Sequence, residues 1–103
     1  MLMLPIVKQK CVEIRQEIHW TEKRIIESSF HIILDKKQLL IKDEKIPISK
    51  ILDISYRIDQ KQSSIGYLYL HTIHGVRTFH IREDPTYFIE IFKKIRSETE
   101  QYG

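Results

Sequence analysis

The stretch that decides the fold is residues 67–82, Tyr-Leu-Tyr-Leu-His-Thr-Ile-His-Gly-Val-Arg-Thr-Phe-His-Ile-Arg. Apolar and polar side chains alternate along both halves, which is the period of a β-strand with one buried and one wet face. His74 and Gly75 lie at the centre, and glycine readily adopts the positive φ that a two-residue hairpin turn requires. The stretch therefore predicts two antiparallel strands, 67–73 and 76–82, joined by a tight turn.

Closing the chain at His74-Gly75 separates the side chains into two faces. The predicted register pairs Leu70 with Phe79 and Tyr69 with His80. One face, which belongs in a core, carries Leu68, Leu70, Phe79 and Ile81. The opposite face, called here the polar panel, carries Tyr67, Tyr69, His71, Thr78, His80 and Arg82. Tyrosine and arginine are enriched at binding hot spots, although tyrosine and threonine also suit any solvated sheet face.

Two earlier segments alternate in the same way and predict a further pair of strands. The apolar positions of these segments are Val12, Ile14, Ile18 and Trp20 in the first, and Phe30, Ile32 and Leu34 in the second. Thr21-Glu22-Lys23 is predicted to be the turn between them. Trp20 ends the first strand, where we expect it either to anchor the core or to contact a membrane interface.

The middle of the chain predicts a second hairpin around Asp35-Lys36-Lys37-Gln38. That loop places Leu34 opposite Leu39 and Ile32 opposite Ile41, so all four share one face. Asp43-Glu44-Lys45 is the next predicted turn.

The segment that follows is predicted to lie at a sheet edge, because Pro47 cannot donate to a hydrogen-bonded ladder. Residues 52–58 alternate again and predict a strand with Leu52, Ile54, Tyr56 and Ile58 on one face. Residues 59–64 are the most polar stretch of the chain and predict a mobile loop.

A single helix is predicted at the end, over Pro85–Arg96. Asp84 is a candidate N-cap, and proline is tolerated at a first helical position. Apolar side chains follow at helical spacing: Phe88, Ile91, Phe92 and Ile95. Such a helix needs an apolar surface to cover, so we expect it to close one end of the sheet.

The composition agrees with this arrangement. The chain has 103 residues, enough for one domain, with 42% hydrophobic and 30% charged residues. Isoleucine occurs 19 times and alanine not at all, which favours strands over helices. The predicted fold class is mainly β with one C-terminal helix: a bent antiparallel sandwich or partly open barrel of six to seven strands.

Several function classes find no support in the sequence. Cys11 is the only cysteine, so it forms no internal disulfide and has no partner for a cysteine-rich zinc site. His71, His74 and His80 are close in sequence, but zinc needs three or four ligands in fixed geometry, and we predict no metal site. We also predict no cofactor and no catalysis, since no base is placed beside Cys11 and glycine-rich phosphate loops are missing. The net charge of +3 is too small to predict nucleic-acid binding.

The whole pattern resembles the pleckstrin-homology (PH) superfold. The segment Ile46-Pro47-Ile48-Ser49-Lys50-Ile51-Leu52-Asp53-Ile54 is similar to a signature of bacterial PH-like domains. The preceding Asp35…Leu39-Leu40-Ile41 hairpin, the Gly75 hairpin and the terminal helix match their pattern as well. The resemblance covers residues 10–97, which leaves 1–9 as an apolar N-terminal extension and 98–103 as a disordered tail.

The resemblance implies a non-catalytic interaction module in the bacterial cytoplasm, at or near the inner face of the cell membrane. Its expected partner is a protein or peptide, bound by the polar panel, and self-association stays open. The alternative is peripheral binding to anionic lipid through the apolar Met1–Val7 segment and nearby basic residues. The candidate lipid contacts are Lys8, Lys10, Trp20, Lys23 and Arg24.

Overall fold

The computed structural model describes residues 7–58 and 65–101. Within them the chain forms an open seven-stranded antiparallel sheet followed by one helix. The strands are β1 (Val7–His19), β2 (Glu22–Leu34), β3 (Gln38–Ile41), β4 (Glu44–Pro47), β5 (Ile51–Ile58), β6 (Gly66–Thr72) and β7 (Gly75–Ile81); the helix is α1 (Thr86–Gln101). The predicted fold class is confirmed.

The strand order β4-β3-β2-β1-β7-β6-β5 is consistent with a PH-like sandwich capped by a helix. β1 joins the two halves of the sheet, since it pairs with β2 along its length and with β7 at Val12–His80. β4 is an edge strand, as the sequence predicted. The extended segment predicted over residues 46–51 ends at Pro47, however, and Ile48–Lys50 form a 3₁₀ helix.

The core lies between the inner faces of the two half-sheets and α1. Its residues are Val7, Cys11, Ile32, Leu34, Leu39, Ile41, Ile46, Ile48, Ile51, Ile54, Leu68, Leu70, Ile81, Phe88, Ile89, Phe92 and Ile95. Three of the four predicted helix residues are thus buried, and Ile91 is partly buried against them.

The ends of the helix and of the first strand differ from the predicted bounds. The Asp84 carboxylate accepts the backbone N–H of Thr86 at 2.9 Å, and α1 begins there rather than at Pro85. The helix continues to Gln101, into the 98–103 segment that was predicted to be disordered. β1 begins at Val7, inside the predicted 1–9 extension.

The second hairpin has the predicted register, with Leu34 opposite Leu39 and Ile32 opposite Ile41. Asp35 stabilises its loop, since its Oδ1 accepts the backbone N–H groups of Lys37 and Gln38 at 2.7 and 2.9 Å. The next turn is tighter than predicted.

In that turn Ile41 pairs with Glu44, which leaves Lys42 and Asp43 as its two residues. Lys42 adopts a φ of 53°, so the predicted turn at residues 43–45 was placed one residue too late.

The β6–β7 hairpin keeps the predicted faces but not the predicted register. Thr72 pairs with Gly75, and Tyr67 rather than Tyr69 lies opposite His80. The reason is local: Thr72 Oγ1 accepts the backbone N–H of His74 at 3.1 Å and donates to the Gly75 carbonyl at 2.9 Å, which closes the chain one residue earlier. Because the pairing moves by two residues, each side chain stays on its face.

β5 departs from the simple alternation that the sequence predicted. An irregularity between Ile51 and Asp53 shifts its register against β6. Ile54 is buried, whereas Leu52, Tyr56 and Ile58 are all partly exposed. A bulge of this kind re-aims the flanking side chains, which explains why Leu52 does not share the buried face of Ile54. The predicted loop at residues 59–64 lies outside the described residues.

β1 and β2 are 13 residues each and extend beyond the core as a two-stranded ribbon. We call residues 13–29 the arm; the described residues span 58 × 31 × 30 Å. His19 pairs with Glu22, so the arm turns at Trp20-Thr21, one residue before the predicted turn. Trp20 is 95% exposed with a φ of 58°, so the predicted core anchor is wrong. Helix phenylalanines fill the core instead.

Candidate functional site

The polar panel lies on the outer face of β6 and β7, turned away from the core and from α1. Thr78 and Tyr67 are exposed, while Tyr69, His71 and His80 are half-buried by their neighbours. Strand alternation produces this arrangement, because the intervening Leu68 and Leu70 are buried on the inner face. The structure therefore brings five of the six predicted panel residues onto one surface.

The aromatic rings of the panel are held against one another. Tyr67 and Tyr69 stack with centroids 6.4 Å apart and an interplanar angle of 16°. Tyr67 also meets the His80 ring edge to face at 5.3 Å. Both spacings fall in the range in which aromatic pairs attract. The rings are thus oriented before any ligand arrives.

β5 extends the panel with three residues that sequence reasoning missed. Asp53, Ser55 and Arg57 lie directly opposite His71, Tyr69 and Tyr67 in turn, and so share their face. Ser55 Oγ and His71 Nε2 are hydrogen-bonded at 2.9 Å. The signal was hidden because β5 and β6 are joined through residues 59–64, a connection whose length gives no register.

Arg82 stands apart from the other five panel residues. It follows the end of β7, and its guanidinium donates to the Glu27 carboxylate through Nε at 3.1 Å and Nη2 at 2.5 Å. This hydrogen-bonded contact lowers the pKa of Glu27 below its ordinary value and raises that of Arg82. The residue therefore ties the end of β7 to the base of the arm.

A concave feature separate from the outer sheet face opens where β1 and β7 diverge, and we call it the cleft. Its volume is about 420 Å³, and Phe30 and Phe79 line it with centroids 6.2 Å apart. Lys42 Nζ lies 4.9 Å from the Phe30 centroid, and the Arg77 guanidinium carbon lies 5.4 Å from that of Phe79. Sequence reasoning missed the cleft, since no local pattern shows where two paired strands separate.

Acidic residues lie beside all three Lys and Arg side chains of the cleft, and the Arg15 guanidinium is 3.9 Å from Glu17 Oε1. Lys42 forms an ion pair with Glu13, and Arg77 Nη1 donates to Glu44 Oε1 at 2.7 Å. The cleft is consequently an aromatic surface bordered by neutralised charges rather than an anion-binding site.

The candidate lipid contacts are not gathered in one place. Lys8 and Lys10 are exposed near the base of β1, whereas Lys23 and Arg24 lie beside Trp20 at the arm tip. The extended chain separates Lys10 from Trp20 by about 33 Å. Residues 1–6 of the apolar terminal segment lie outside the described residues.

The described part of the chain bears on two chemical possibilities, a metal site and a reactive thiol. No group of three or more His, Cys, Asp or Glu residues there is arranged to hold a metal ion, and His74 lies in the β6–β7 turn. Cys11 is fully buried, and this burial raises the pKa of its thiol to about 12. A neutral, inaccessible thiol cannot act as a nucleophile.

Comparison with known proteins found no match to this chain among family models, curated proteins or solved structures. No helix in residues 7–58 and 65–101 combines the length and the apolar character needed to cross a bilayer.

Proposed function

We propose that this protein is a non-catalytic, PH-like interaction module of the bacterial cytoplasm that binds a protein or peptide partner at or near the membrane. The polar panel is its contact surface. The observation that carries the proposal is the mutually oriented set of rings on the outer sheet face, formed by exposed Tyr67 with half-buried Tyr69 and His80.

Three properties of the panel support a protein partner. Aromatic rings that are already packed lose little conformational freedom on binding, which favours them as anchors. Asp53 and Arg57 border the rings with opposite charges, an arrangement that can orient a partner but does not attract a polyanion. The small net charge of the chain, +3, likewise gives little attraction for a polyanion.

The first prediction concerns the Tyr67→Ala/Tyr69→Ala variant. We expect it to lose capture of the partner at least tenfold, because both stacked rings are removed. The free energy of unfolding should fall by no more than about 1 kcal/mol, since neither ring is in the core. Quantitative affinity capture from the source cell, followed by mass spectrometry, measures the first effect, and urea denaturation measures the second.

Tyr87→Ala is the matched control, because Tyr87 is an exposed tyrosine on α1 outside the panel. It should capture the same partner as the unmodified protein. Equal capture by all three proteins, or unfolding of the double variant, would contradict the proposed role of the panel.

One observation favours the membrane alternative, at the arm tip alone. Trp20 is almost fully exposed there, beside Lys23 and Arg24, and tryptophan is enriched at membrane–water interfaces. We propose this contact as the second candidate function.

The second prediction is that Trp20→Ser lowers pelleting with vesicles of mixed anionic and zwitterionic lipid several-fold, because the interfacial ring is removed. Tyr87→Ser, which removes an exposed ring far from the tip, should leave pelleting unchanged. If Trp20→Ser and the unmodified protein pellet alike, the tip is not a lipid contact.

A further inference from the structure

The distal half of β1 has an open edge. Among the described residues, β1 pairs with β7 only at Val12–His80, while Glu13–His19 pair with β2 alone. The side of this segment away from β2 therefore presents unpaired backbone N–H and C=O groups, which can template another strand. A two-stranded ribbon is also only marginally stable in water, and additional strands stabilise it.

The sequence of this open edge is complementary to itself. Residues 13–19 read Glu-Ile-Arg-Gln-Glu-Ile-His. Two copies laid antiparallel about Gln16 place Ile14 opposite Ile18 of the second copy and Arg15 opposite Glu17 of the second copy. Glu13 meets His19 of the second copy in the same register. Opposed pairs of matching apolar character or opposite charge are the contacts that stabilise neighbouring strands.

Other registers lack this match. Sliding the second copy by two residues in one direction places Arg15 opposite Arg15 of the second copy. Sliding it by two residues in the other direction places Glu17 opposite Glu17 of the second copy. Like charges directly opposed destabilise a sheet. The Gln16-centred register is thus favoured for two reasons. It places complementary side chains opposite each other, and the two adjacent registers place like charges opposite each other.

The exposure of the arm fits a surface that another chain covers. Ile18 is 72% exposed, Ile14 is exposed, and both lie on the face that also carries Ile25 of β2. Arg15 and Glu17 project from the other face, with their closest charged atoms 3.9 Å apart. Pairing of two arms would place these isoleucines on one face of a four-stranded sheet, with Ile14 of each copy beside Ile18 of the other.

The position of Trp20 fits the same pairing. With Glu13 beside His19 of the second copy, Trp20 of the second copy arrives next to Val12, where β1 and β7 separate. Val12 and His80 share the outer face, whereas Phe30 and Phe79 belong to the inner face of the sheet. The exposed indole of one copy therefore gains a neighbouring chain beside Val12 of the other, twice in a symmetric pair.

We propose that the protein forms a symmetric dimer by antiparallel pairing of Glu13–His19 with the same segment of a second copy, centred on Gln16. The dimer goes beyond the proposed function. It uses the open edge of the arm, whereas the rings of Tyr67 and Tyr69 lie on β6. Failure of the dimer leaves the panel proposal standing, and the reverse also holds.

The third prediction tests this pairing with two charge reversals, Arg15→Glu and Glu17→Arg. Sedimentation equilibrium should show a concentration-dependent dimer for the unmodified protein. Each variant alone should dissociate with a Kd at least tenfold higher, because two like-charged pairs then face each other. An equimolar mixture of the two variants should regain the dimer, since each residue at position 15 again faces an opposite charge at position 17.

The mixture isolates the contact between chains. Neither variant regains the Arg15–Glu17 ion pair within its own chain, so restoration cannot come from a repaired monomer. Trp20 is the only tryptophan, and its emission should move to shorter wavelength as the dimer forms. Far-ultraviolet circular dichroism spectra of the two variants should match that of the unmodified protein, which shows that both variants are folded.

Three results would overturn the dimer. In the first, the unmodified protein remains a monomer at every concentration. A Trp20 emission that shifts only when vesicles are added, with no dimer formed, belongs to this first result. Alternatively, both charge reversals would leave the dimer intact, or their mixture would associate no better than either variant alone.

Discussion

Replacing Phe92 by alanine is expected to lower the free energy of unfolding by about 3–5 kcal/mol, a large fraction of the stability of a domain this size. Phe92 is only 1% exposed and lies at the centre of the apolar stripe by which α1 covers the sheet. Truncation removes the ring from a packed interior and leaves a cavity that the surrounding strands can only partly fill. Urea denaturation followed by far-ultraviolet circular dichroism measures the loss.

Tyr87→Ala is the control on the same helix, because Tyr87 is 66% exposed. We expect it to change the free energy of unfolding by no more than about 0.5 kcal/mol. The same loss for both variants would mean that α1 does not pack on the sheet through Phe92.

The faces of the β6–β7 hairpin were predictable from sequence because alternation has a period of two. The turn was placed one residue late, yet Leu68 and Leu70 are buried and Tyr67 and Tyr69 lie outside. A two-residue shift in pairing changes which side chains are neighbours but not which face they occupy. Prediction of the surface therefore succeeded where prediction of its contacts did not.

The arm shows where alternation misleads. Ile14 and Ile18 have the spacing of core residues, and Trp20 continues the pattern. Alternation reports that a strand has an apolar face, but not whether anything covers it. Here β1 extends beyond the core, and residues of α1 such as Phe88 fill the interior instead.

The missed parts of the candidate site depend on pairings between distant segments. Asp53 and Arg57 join the panel only through the β5–β6 register, which a bulge near Ile51 displaces. The cleft needs β1 and β7, which are far apart in the chain, to pair at one point and then separate. Tertiary packing decides both features, and no short motif encodes either.

Cys11 offers a test of the core with an expected effect of about a thousandfold. Burial raises the pKa of its thiol from 9.0 to about 12, so at pH 8 the reactive thiolate is about a thousand times scarcer than for an ordinary thiol. Labelling by iodoacetamide should be slower by at least that factor, because the side chain is also inaccessible. Mass spectrometry of timed samples gives the rate.

The same shift fixes the direction of a pH effect. The folded chain holds the thiol proton more tightly than the unfolded chain does. The resulting stability is fully present below about pH 9 and is lost as the pH rises towards about 12. Unfolding in urea should restore ordinary labelling, and Ser28→Cys in a Cys11→Ala background supplies an exposed thiol for comparison. If native Cys11 labels as fast as that exposed thiol, the inner face of β1 is not buried in the core as the structure has it.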